Sequence, residues 1–561
     1  MRITFETFRT WGRAGLLYAS FAWCCAQGEV ILEQQGGNRL ISESLQVVSN
    51  GVGAAQIYRG HSILVPLAKF TSCRTNDLLQ SEDRADFATR LAGLKTEDVA
   101  GGIELANWAM TRGLRLQALA LLHRLRTSHA EHTALASRLT VPPAPASLAD
   151  VDRRRLEELV RLYFASPTNR EPVLRALRDI DAIPLSEINQ WADLAFAAAR
   201  GSPVLTVGDS LFRNGELSGQ VHVELWNKPT AGPASNTVSA GPAIQASPGA
   251  DDKWPVLVAL HGGGEGDGSW QSGGPTFFAL FRKHFDRMIF VAPTVMQKHY
   301  AEWGSNTNEE FFVRELLKAV KRTWPVDTDR IFLAGVSMGG YGTWHIGGHE
   351  ADTFAGLVSN AGGILLGFAR GETWGWGTIG NLMHTPIAFV HGGKDEQSPP
   401  WSDVESDRIL TALAAEHPGL YRHKYIFYPS AGHGVPGDGV SQAVDWVSPF
   451  VRTSMPTQVS WEPSRPFHRN FYWLRVDQPR MFTRLEASVA DNTIKLRVTN
   501  LNGGISVWLD PRLVDLKKPV TILADDQVVF RSLVRPTLSA ILESVDDKLD
   551  PQMWYPARID L

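Results

Sequence analysis

The 561-residue chain contains only three cysteines, Cys24, Cys25 and Cys73. The first two lie in an N-terminal segment with the features of a secretory signal peptide, and its removal would leave Cys73 without an intrachain partner. Stability must then come from packed apolar cores. The chain also lacks cysteine, histidine and carboxylate residues at metal-ligand spacing, so we expect neither a metal ion nor another cofactor.

Long hydrophobic runs are missing as well. Three arginines precede an apolar run over residues 14–23, and residues 24–26 offer a small-x-small cleavage site, so residues 1–26 resemble a signal peptide. The run is shorter than the roughly 20 apolar residues of a membrane-spanning helix. We therefore expect no integral membrane span and export to the periplasm or the extracellular space. A buried amphipathic N-terminus is the alternative.

Neither sign of charge is in excess. The chain has 55 lysines and arginines against 59 aspartates and glutamates, a formal net charge of −4. Such a balance gives no electrostatic reason to bind nucleic acid or an acidic membrane surface. We therefore expect no nucleic-acid partner.

The period of the apolar residues divides the chain into modules. Helical spacing on both sides of Gly113 predicts a hairpin of tetratricopeptide-like character. Alternation over residues 493–498, 505–509 and 520–523 predicts a small β-sandwich. We predict a signal peptide at 1–26, an unassigned arm at 27–75, a helical module at 76–200, a central domain at 203–455 and a β-rich domain at 456–561.

The C-terminal region also carries an aromatic cluster. It could form a sugar-stacking platform, although the apolar spacing favours a hydrophobic core. Its members are Trp461, Phe467, Phe471, Tyr472 and Trp473. Through such surfaces the flanking modules could contact a protein or a carbohydrate.

Between these modules, six apolar runs alternate with helical segments. The runs begin at residues 255, 288, 330, 355, 386 and 424. Apolar strands alternating with helices predict an α/β fold with a mostly parallel sheet covered on both faces. Ligands of such sheets bind at the carboxyl ends of the strands. A loop over residues 228–252, rich in Ala, Pro, Ser and Gly, is typical of a surface insertion.

One stretch of this sheet carries reactive chemistry. Residues 330–334 have a strand composition, helical spacing starts at Tyr341, and residues 335–339 between them spell G-x-S-x-G. A serine on such a tight turn needs small neighbours, because larger side chains would crowd the strained backbone that lifts its hydroxyl out. Ser337 is therefore the candidate nucleophile, and an ordinary glycine-rich turn is the alternative.

A glycine-rich stretch at residues 261–264 follows the first apolar strand. Without side chains, its backbone N–H groups can point at a developing oxyanion. We expect the N–H groups of Gly263 and Met338 to form the oxyanion hole. Gly262 and Gly264 are the rivals of Gly263.

The candidate acid is Asp395, which follows the penultimate strand. A carboxylate there can fix the tautomer of a histidine and stabilise its protonated form. Glu396 and Asp403 are nearby competitors.

The candidate base is His433, which lies on a glycine loop after the last strand. His391 and His423 are less suitable, since His423 lies in a charged run that enters a strand. The chain order Ser337, Asp395, His433 is the order expected for an α/β-hydrolase.

Residues 203–455 resemble such a hydrolase. They are similar to the polyhydroxybutyrate depolymerase, feruloyl esterase and prolyl-oligopeptidase-like branches, which share the D-x-D-R lead-in and the G-x-S-M-G-G motif found at residues 327–340. The resemblance implies a serine hydrolase whose triad is Ser337, Asp395 and His433. It covers less than half of the chain.

Three functions are consistent with these residues. The first is hydrolysis of a carboxylic ester, small or polymer-linked, through an acyl-enzyme. The second is a serine peptidase of the prolyl-oligopeptidase type, which the lack of a preceding β-propeller weakens. The third is a non-catalytic binding or scaffold protein, against which the intact site residues argue.

Trp374 and Trp376 lie where hydrolases often carry a cap domain over the active site. Two roles are open for them: to line the acyl or aryl pocket, or to hold a loop in place by packing.

Overall fold

The computed structural model divides the chain into two compact units, residues 1–78 with 364–377, and residues 79–363 with 378–561. The predicted signal segment and residues 229–252 of the predicted surface insertion lie outside the described residues. The described ranges are 29–34, 39–42, 44–49, 52–58, 61–66, 70–76, 81–128, 144–214, 217–228, 253–263, 269–294, 303, 307–364, 376–480, 483–501 and 503–561.

The described part of the first unit contains six strands. Alternate residues of its first strand, Val30 and Leu32, are buried, as a half-buried strand requires. The strands form two antiparallel sheets in the orders β2-β1-β6 and β3-β4-β5. They are β1 (Glu29–Gln34), β2 (Arg39–Ser42), β3 (Ser44–Ser49), β4 (Val52–Tyr58), β5 (His61–Pro66) and β6 (Phe70–Asn76). The described residues of the arm at 27–75, which has no assignment from the sequence, thus form β-strands.

In the described residues, six α-helices open the second unit. They are α1 (Ser81–Gly93), α2 (Val99–Thr111), α3 (Arg115–Ser128), α4 (Asp150–Ala165), α5 (Arg170–Leu177) and α6 (Ile188–Arg200), with short 3-10 turns at Pro167–Asn169 and Leu185–Glu187. Helices α2 and α3 form the predicted hairpin, and Gly113 between them has φ +74°, which glycine adopts without strain. Leu105 and Leu121 lie in its core.

The largest sheet of the described residues has eight strands in the order β14-β13-β12-β11-β9-β10-β8-β7. The strands are β7 (Gly208–Asn214), β8 (Leu217–Asn227), β9 (Trp254–Leu260), β10 (Arg287–Pro293), β11 (Val326–Val336), β12 (Gly356–Asn360), β13 (Ile387–Gly392) and β14 (His423–Tyr428). β8 pairs antiparallel with both of its neighbours, and the other pairs are parallel. All six apolar runs predicted as strands are strands, so the predicted α/β fold is confirmed.

Helices cover both faces of this sheet. They are α7 (Gly274–Phe281), α8 (Thr307–Thr323), α9 (Met338–His349), α10 (Trp401–Glu416) and α11 (Gly437–Val447), with 3-10 turns at Ala351–Thr353 and Trp376–Met383. Phe277 of α7 and Val444 of α11 share a core with Leu257 of the sheet. On the opposite face, Trp344 of α9 contacts Phe389 with ring centroids 5.1 Å apart. Of the described helices, none is long and apolar enough to cross a bilayer.

The C-terminal region forms two further sheets, in the orders β15-β18-β19-β21-β22 and β16-β17-β20-β23. Asp525 and Asp526 make the expected hairpin turn with φ +46° and +62°. Four of the five clustered aromatic residues, all except Phe467, are at most 3% exposed, which confirms the core interpretation for those four. The strands are β15 (Gln458–Trp461), β16 (Asn470–Phe471), β17 (Leu474–Val476), β18 (Arg484–Ala490), β19 (Thr493–Thr499), β20 (Ile505–Leu509), β21 (Val520–Ala524), β22 (Gln527–Ser532) and β23 (Ala557–Asp560).

One helix in this region, α12 (Leu538–Lys548), does not follow from the β-rich interpretation. Its apolar residues Leu538, Ile541, Leu542 and Val545 have the i, i+3, i+4, i+7 spacing of an amphipathic helix. They share one core with helices α4, α5 and α6. The C-terminal segment therefore completes the core of the second helical group.

Ion pairs of the buried Arg452 side chain connect this eight-stranded sheet to the C-terminal region. Arg452 donates to Asp550 Oδ2 at 2.7 Å and to Asp329 Oδ1 at 2.8 Å. Asp329 belongs to the D-x-D-R lead-in, so this part of the motif anchors structure. Burial would raise the pKa of Asp550, but the Arg452 guanidinium holds that pKa well below its usual range.

Replacing Arg452 with methionine should cost about 3 to 5 kcal/mol of unfolding free energy, because Asp550 would stay buried without its guanidinium partner. Adding Asp550→Leu should recover most of the loss, since apolar replacements of a whole buried pair are often neutral. Urea denaturation at pH 7 measures both variants. A single variant as stable as the wild type would contradict this role.

The same pair has a pH signature. In the wild type, the unfolded carboxyl group takes up a proton at about pH 4, while folded Asp550 does so only at lower pH. The stabilisation by this pair is thus present above about pH 4 and is lost as the pH falls through the lowered pKa of Asp550. Arg452→Met should weaken this acid dependence.

Candidate active site

Ser337 lies on a strained turn between β11 and α9. Its φ of +54° and ψ of −117° are unusual for a residue with a side chain. The Ser337 N–H donates to the Asn360 carbonyl at 2.7 Å, which fastens the turn to β12. This geometry lifts the hydroxyl above the carboxyl edge of the sheet, as the G-x-S-x-G motif predicts.

Glycines on both sides of Ser337 allow this turn. A Cβ atom on Gly335 would lie 2.0 Å from the Gly339 carbonyl oxygen, and one on Gly339 would lie 2.1 Å from the Leu260 carbonyl oxygen. Real Cβ atoms do not approach backbone atoms so closely. The two glycines of the motif are therefore required by close backbone packing between the turn and β9.

His433 bridges Ser337 and Asp395. Its Nδ1 lies 2.8 Å from Asp395 Oδ2, and its Nε2 lies 2.9 Å from Ser337 Oγ. Because a carboxylate only accepts hydrogen bonds, Nδ1 carries the proton and Nε2 accepts from the serine hydroxyl. The three predicted residues thus meet in one hydrogen-bonded array, with the Asp395 side chain fully buried and the His433 side chain 24% exposed.

The loop after β13 holds Asp395. Its Oδ1 accepts the backbone N–H groups of Gln397 at 3.0 Å and Ser398 at 2.8 Å, which leaves Oδ2 for His433. Glu396, a competitor in the sequence, is exposed. Position in a tight turn, more than charge, distinguishes the two neighbouring acids.

The loop that carries His433 is pinned to the loop that carries Asp395. The Lys394 N–H donates to the Ala431 carbonyl at 2.8 Å. A Cβ atom on Gly392 would lie 2.2 Å from the Gly432 carbonyl oxygen, so the two loops touch through their backbones. This contact fixes the distance between the imidazole and the carboxylate.

The expected oxyanion donors lie on the same edge. Met338 is the first residue of α9, where backbone N–H groups have no partner within the helix. Gly263 follows β9 and is exposed, whereas the Gly262 N–H donates to the Ser272 carbonyl at 3.0 Å and is committed there. Gly264, the other rival, lies outside the described residues.

Several candidates from the sequence do not join the array. His423 on β14 contacts Asp407, with His423 Nε2 3.4 Å from Asp407 Oδ1. Trp374 and the side chain of Trp376 lie outside the described residues, so their pocket or packing role stays a prediction. Within the described residues, no group of three or more histidine, cysteine and acidic side chains could hold a metal ion.

Two contacts near the array have no sequence signal that singles them out. The hydroxyls of Tyr341 and Ser398 lie 2.6 Å apart, and burial raises the pKa of Tyr341 to about 12, so it stays protonated at neutral pH. His391 pairs with Asp403 rather than with Ser337. The first pair joins residues 57 apart in the chain, and the second joins the end of β13 to α10, 12 residues later.

No protein-family model and no curated protein sequence matches this chain. Among solved structures, it is similar to a thermostable esterase at 21% identity, over 44% of this chain and 63% of that one, with a TM-score of 0.30. It is similar to a ferulic acid esterase at 16% identity, over 43% of this chain and 96% of that one, with a TM-score of 0.31. It is also similar to dipeptidyl peptidase 4 of Porphyromonas gingivalis at 12% identity, over 43% of this chain and 35% of that one, with a TM-score of 0.31.

The chain spans less than two thirds of the thermostable esterase and about a third of the peptidase. TM-scores of 0.30 and 0.31 are too low to indicate a function. The fold is classified instead by the order and direction of the strands. The sheet has one antiparallel strand among parallel ones, a crossover between β9 and β10, and a serine turn after the central β11. Together these features define a single known topology. Residues 208–447 therefore have the α/β-hydrolase fold.

Proposed function

We propose that this protein is a serine hydrolase that cleaves carboxylic esters. The observation that carries the proposal is the hydrogen-bonded array of Ser337, His433 and Asp395 on a strained strand-to-helix turn. Such an array activates a serine for attack on a carbonyl, because the imidazole accepts its proton and the carboxylate stabilises the imidazolium. No metal or cofactor takes part in the proposed reaction.

In the proposed mechanism, Ser337 Oγ attacks the ester carbonyl while His433 Nε2 takes its proton. The oxyanion forms against the N–H groups of Met338 and Gly263. His433 then returns the proton to the departing alcohol, which leaves an acyl-enzyme on Ser337. Water attacks that ester with His433 again as base, so the carboxylic acid is released and the serine is regenerated.

The class of substrate is proposed from the reaction class. The substrate is a carboxylic ester, small or attached to a polymer, because its alcohol can depart with only the proton that His433 returns. The amine of an amide departs more slowly. Comparing short nitrophenyl and feruloyl esters with peptide anilides separates an esterase from a peptidase that uses the same array. We expect turnover of the esters, and faster cleavage of anilides would favour the peptidase.

Covalent labelling tests the proposal directly. A fluorophosphonate probe should label the purified wild-type protein on Ser337 and should not label Ser337→Ala. Ser218→Ala, at an exposed position on β8 in the same sheet, is the matched control and should label like the wild type. An unlabelled wild type with no esterase activity would favour the scaffold hypothesis.

A further inference from the structure

A second histidine lies directly behind Asp395. His391 is fully buried at the end of β13, and its Nε2 lies 2.6 Å from the Ser398 carbonyl oxygen and 3.4 Å from Asp395 Oδ2. Its Nδ1 lies 2.7 Å from Asp403 Oδ2 on α10. The proposed triad is thus followed by an imidazole and a second buried carboxyl group.

The contacts of His391 determine its proton. A backbone carbonyl only accepts hydrogen bonds, so Nε2 must carry a proton toward Ser398. Nδ1 and Asp403 then hold one further proton between them. Burial alone would lower the pKa of His391, but the hydrogen bond and charge of Asp403 raise it overall. Burial also raises the pKa of Asp403, against the hydrogen bond and charge of His391, which lower it.

Groups from three neighbouring elements face this pair. Tyr341 of α9 and Tyr425 of β14 both sense the charge of Asp403, which contributes to raising their pKa values after the larger effect of burial. Asp407, one turn along α10, adds a like charge that raises the pKa of Asp403 after burial. These tyrosines are neutral and Asp407 is negative, so the surroundings favour a positive charge on His391.

We propose that His391 and Asp403 are positioning residues that place an imidazolium beside Asp395 and hold its loop through the Ser398 carbonyl. This inference rests on the proposed hydrolase function. The positive charge of this imidazolium partly offsets the negative charge of Asp395. Asp395 therefore stabilises protonated His433 less strongly than it would without His391. The loop contact keeps the Gln397 and Ser398 N–H groups aimed at Asp395 Oδ1.

Asp403→Asn and His391→Gln test the charge. Each removes the positive charge beside Asp395 with little change of shape, and the glutamine amide of His391→Gln can still donate toward Ser398. Asp395 then stabilises protonated His433 more strongly. The acidic limb of the pH profile of kcat/KM should move upward by roughly 0.5 to 1 pH unit, which corresponds to a loss of at most about 3-fold to 10-fold on that limb.

His423→Gln is the matched control, because it removes a histidine that faces an aspartate of the same helix but does not contact Asp395. Its acidic limb should coincide with that of the wild type. If Asp403→Asn and His391→Gln lower only the melting temperature and do not shift the acidic limb of the kcat/KM profile, the pair is structural and the inference is wrong.

A readout independent of activity separates this inference from the proposed function. In spectra of protein with ¹⁵N-labelled histidine, both ring nitrogens of His391 should be protonated at pH 7.5 in the wild type, and only one in Asp403→Asn. A neutral His391 in the wild type would overturn the inference even if Ser337 labels. Absence of wild-type labelling with a charged His391 would overturn the function alone.

Discussion

Ser337→Ala is expected to lower kcat for ester hydrolysis by about 10⁵-fold to 10⁶-fold, while the substrate still binds. Removal of the nucleophile from a serine, histidine and aspartate array costs this much because the three groups act as one unit. Residual turnover would come from the proposed oxyanion donors, the N–H groups of Met338 and Gly263, and from substrate binding. Stopped-assay kinetics on a nitrophenyl ester, with the fluorophosphonate-treated wild type as the blank, measure the difference.

Ser337→Gly is the informative companion variant. At φ +54°, alanine retains the strain of the turn, whereas glycine adopts this angle freely. We expect both variants to be equally inactive and the glycine variant to be more stable than the alanine variant by about 1 kcal/mol. Retention of full esterase activity by either variant would disprove the role of Ser337.

The second large effect is expected from Gly339→Ala. The new Cβ atom would lie 2.1 Å from the Leu260 carbonyl oxygen and 2.8 Å from that of His261. Both are backbone atoms at the end of β9, next to the expected oxyanion donor Gly263, and cannot move away cheaply. We expect a loss of more than about 3 kcal/mol in unfolding free energy, or failure to fold.

Gly347→Ala in the same helix is the control for that variant. Its Cβ atom would meet the ends of the Leu357 side chain at 2.7 Å, and a side chain can change rotamer where a backbone cannot. Thermal unfolding of both variants should show a smaller decrease in melting temperature for Gly347→Ala. Equal decreases would mean that α9 tolerates no added volume anywhere.

The local parts of the candidate site follow from the sequence because they obey local rules. The turn at Ser337 needs glycines at Gly335 and Gly339, and strands buried on both faces are apolar throughout. Asp395 and His433 were identified by their positions after strands, since parallel strands end at one edge of the sheet. The structure brings these residues together within 2.9 Å.

Other features could not be predicted, because they depend on tertiary contacts that no local pattern specifies. Asp403 was a competitor for the acid role in the sequence, and only its 2.7 Å contact with His391 shows where its carboxylate points. Helix α12 has a clear amphipathic pattern, yet the strands around it suggested a purely β region. No local pattern indicates that it completes a core with helices more than 300 residues earlier.

The order of the elements, the strained serine turn and the residue types at the candidate site follow from the sequence, because they depend on backbone sterics and on the period of apolar side chains. Only the folded structure shows which acid pairs with which histidine and which backbone N–H groups already have a partner. These pairings depend on how closely the loops approach one another, and the packing of the whole sheet sets that approach.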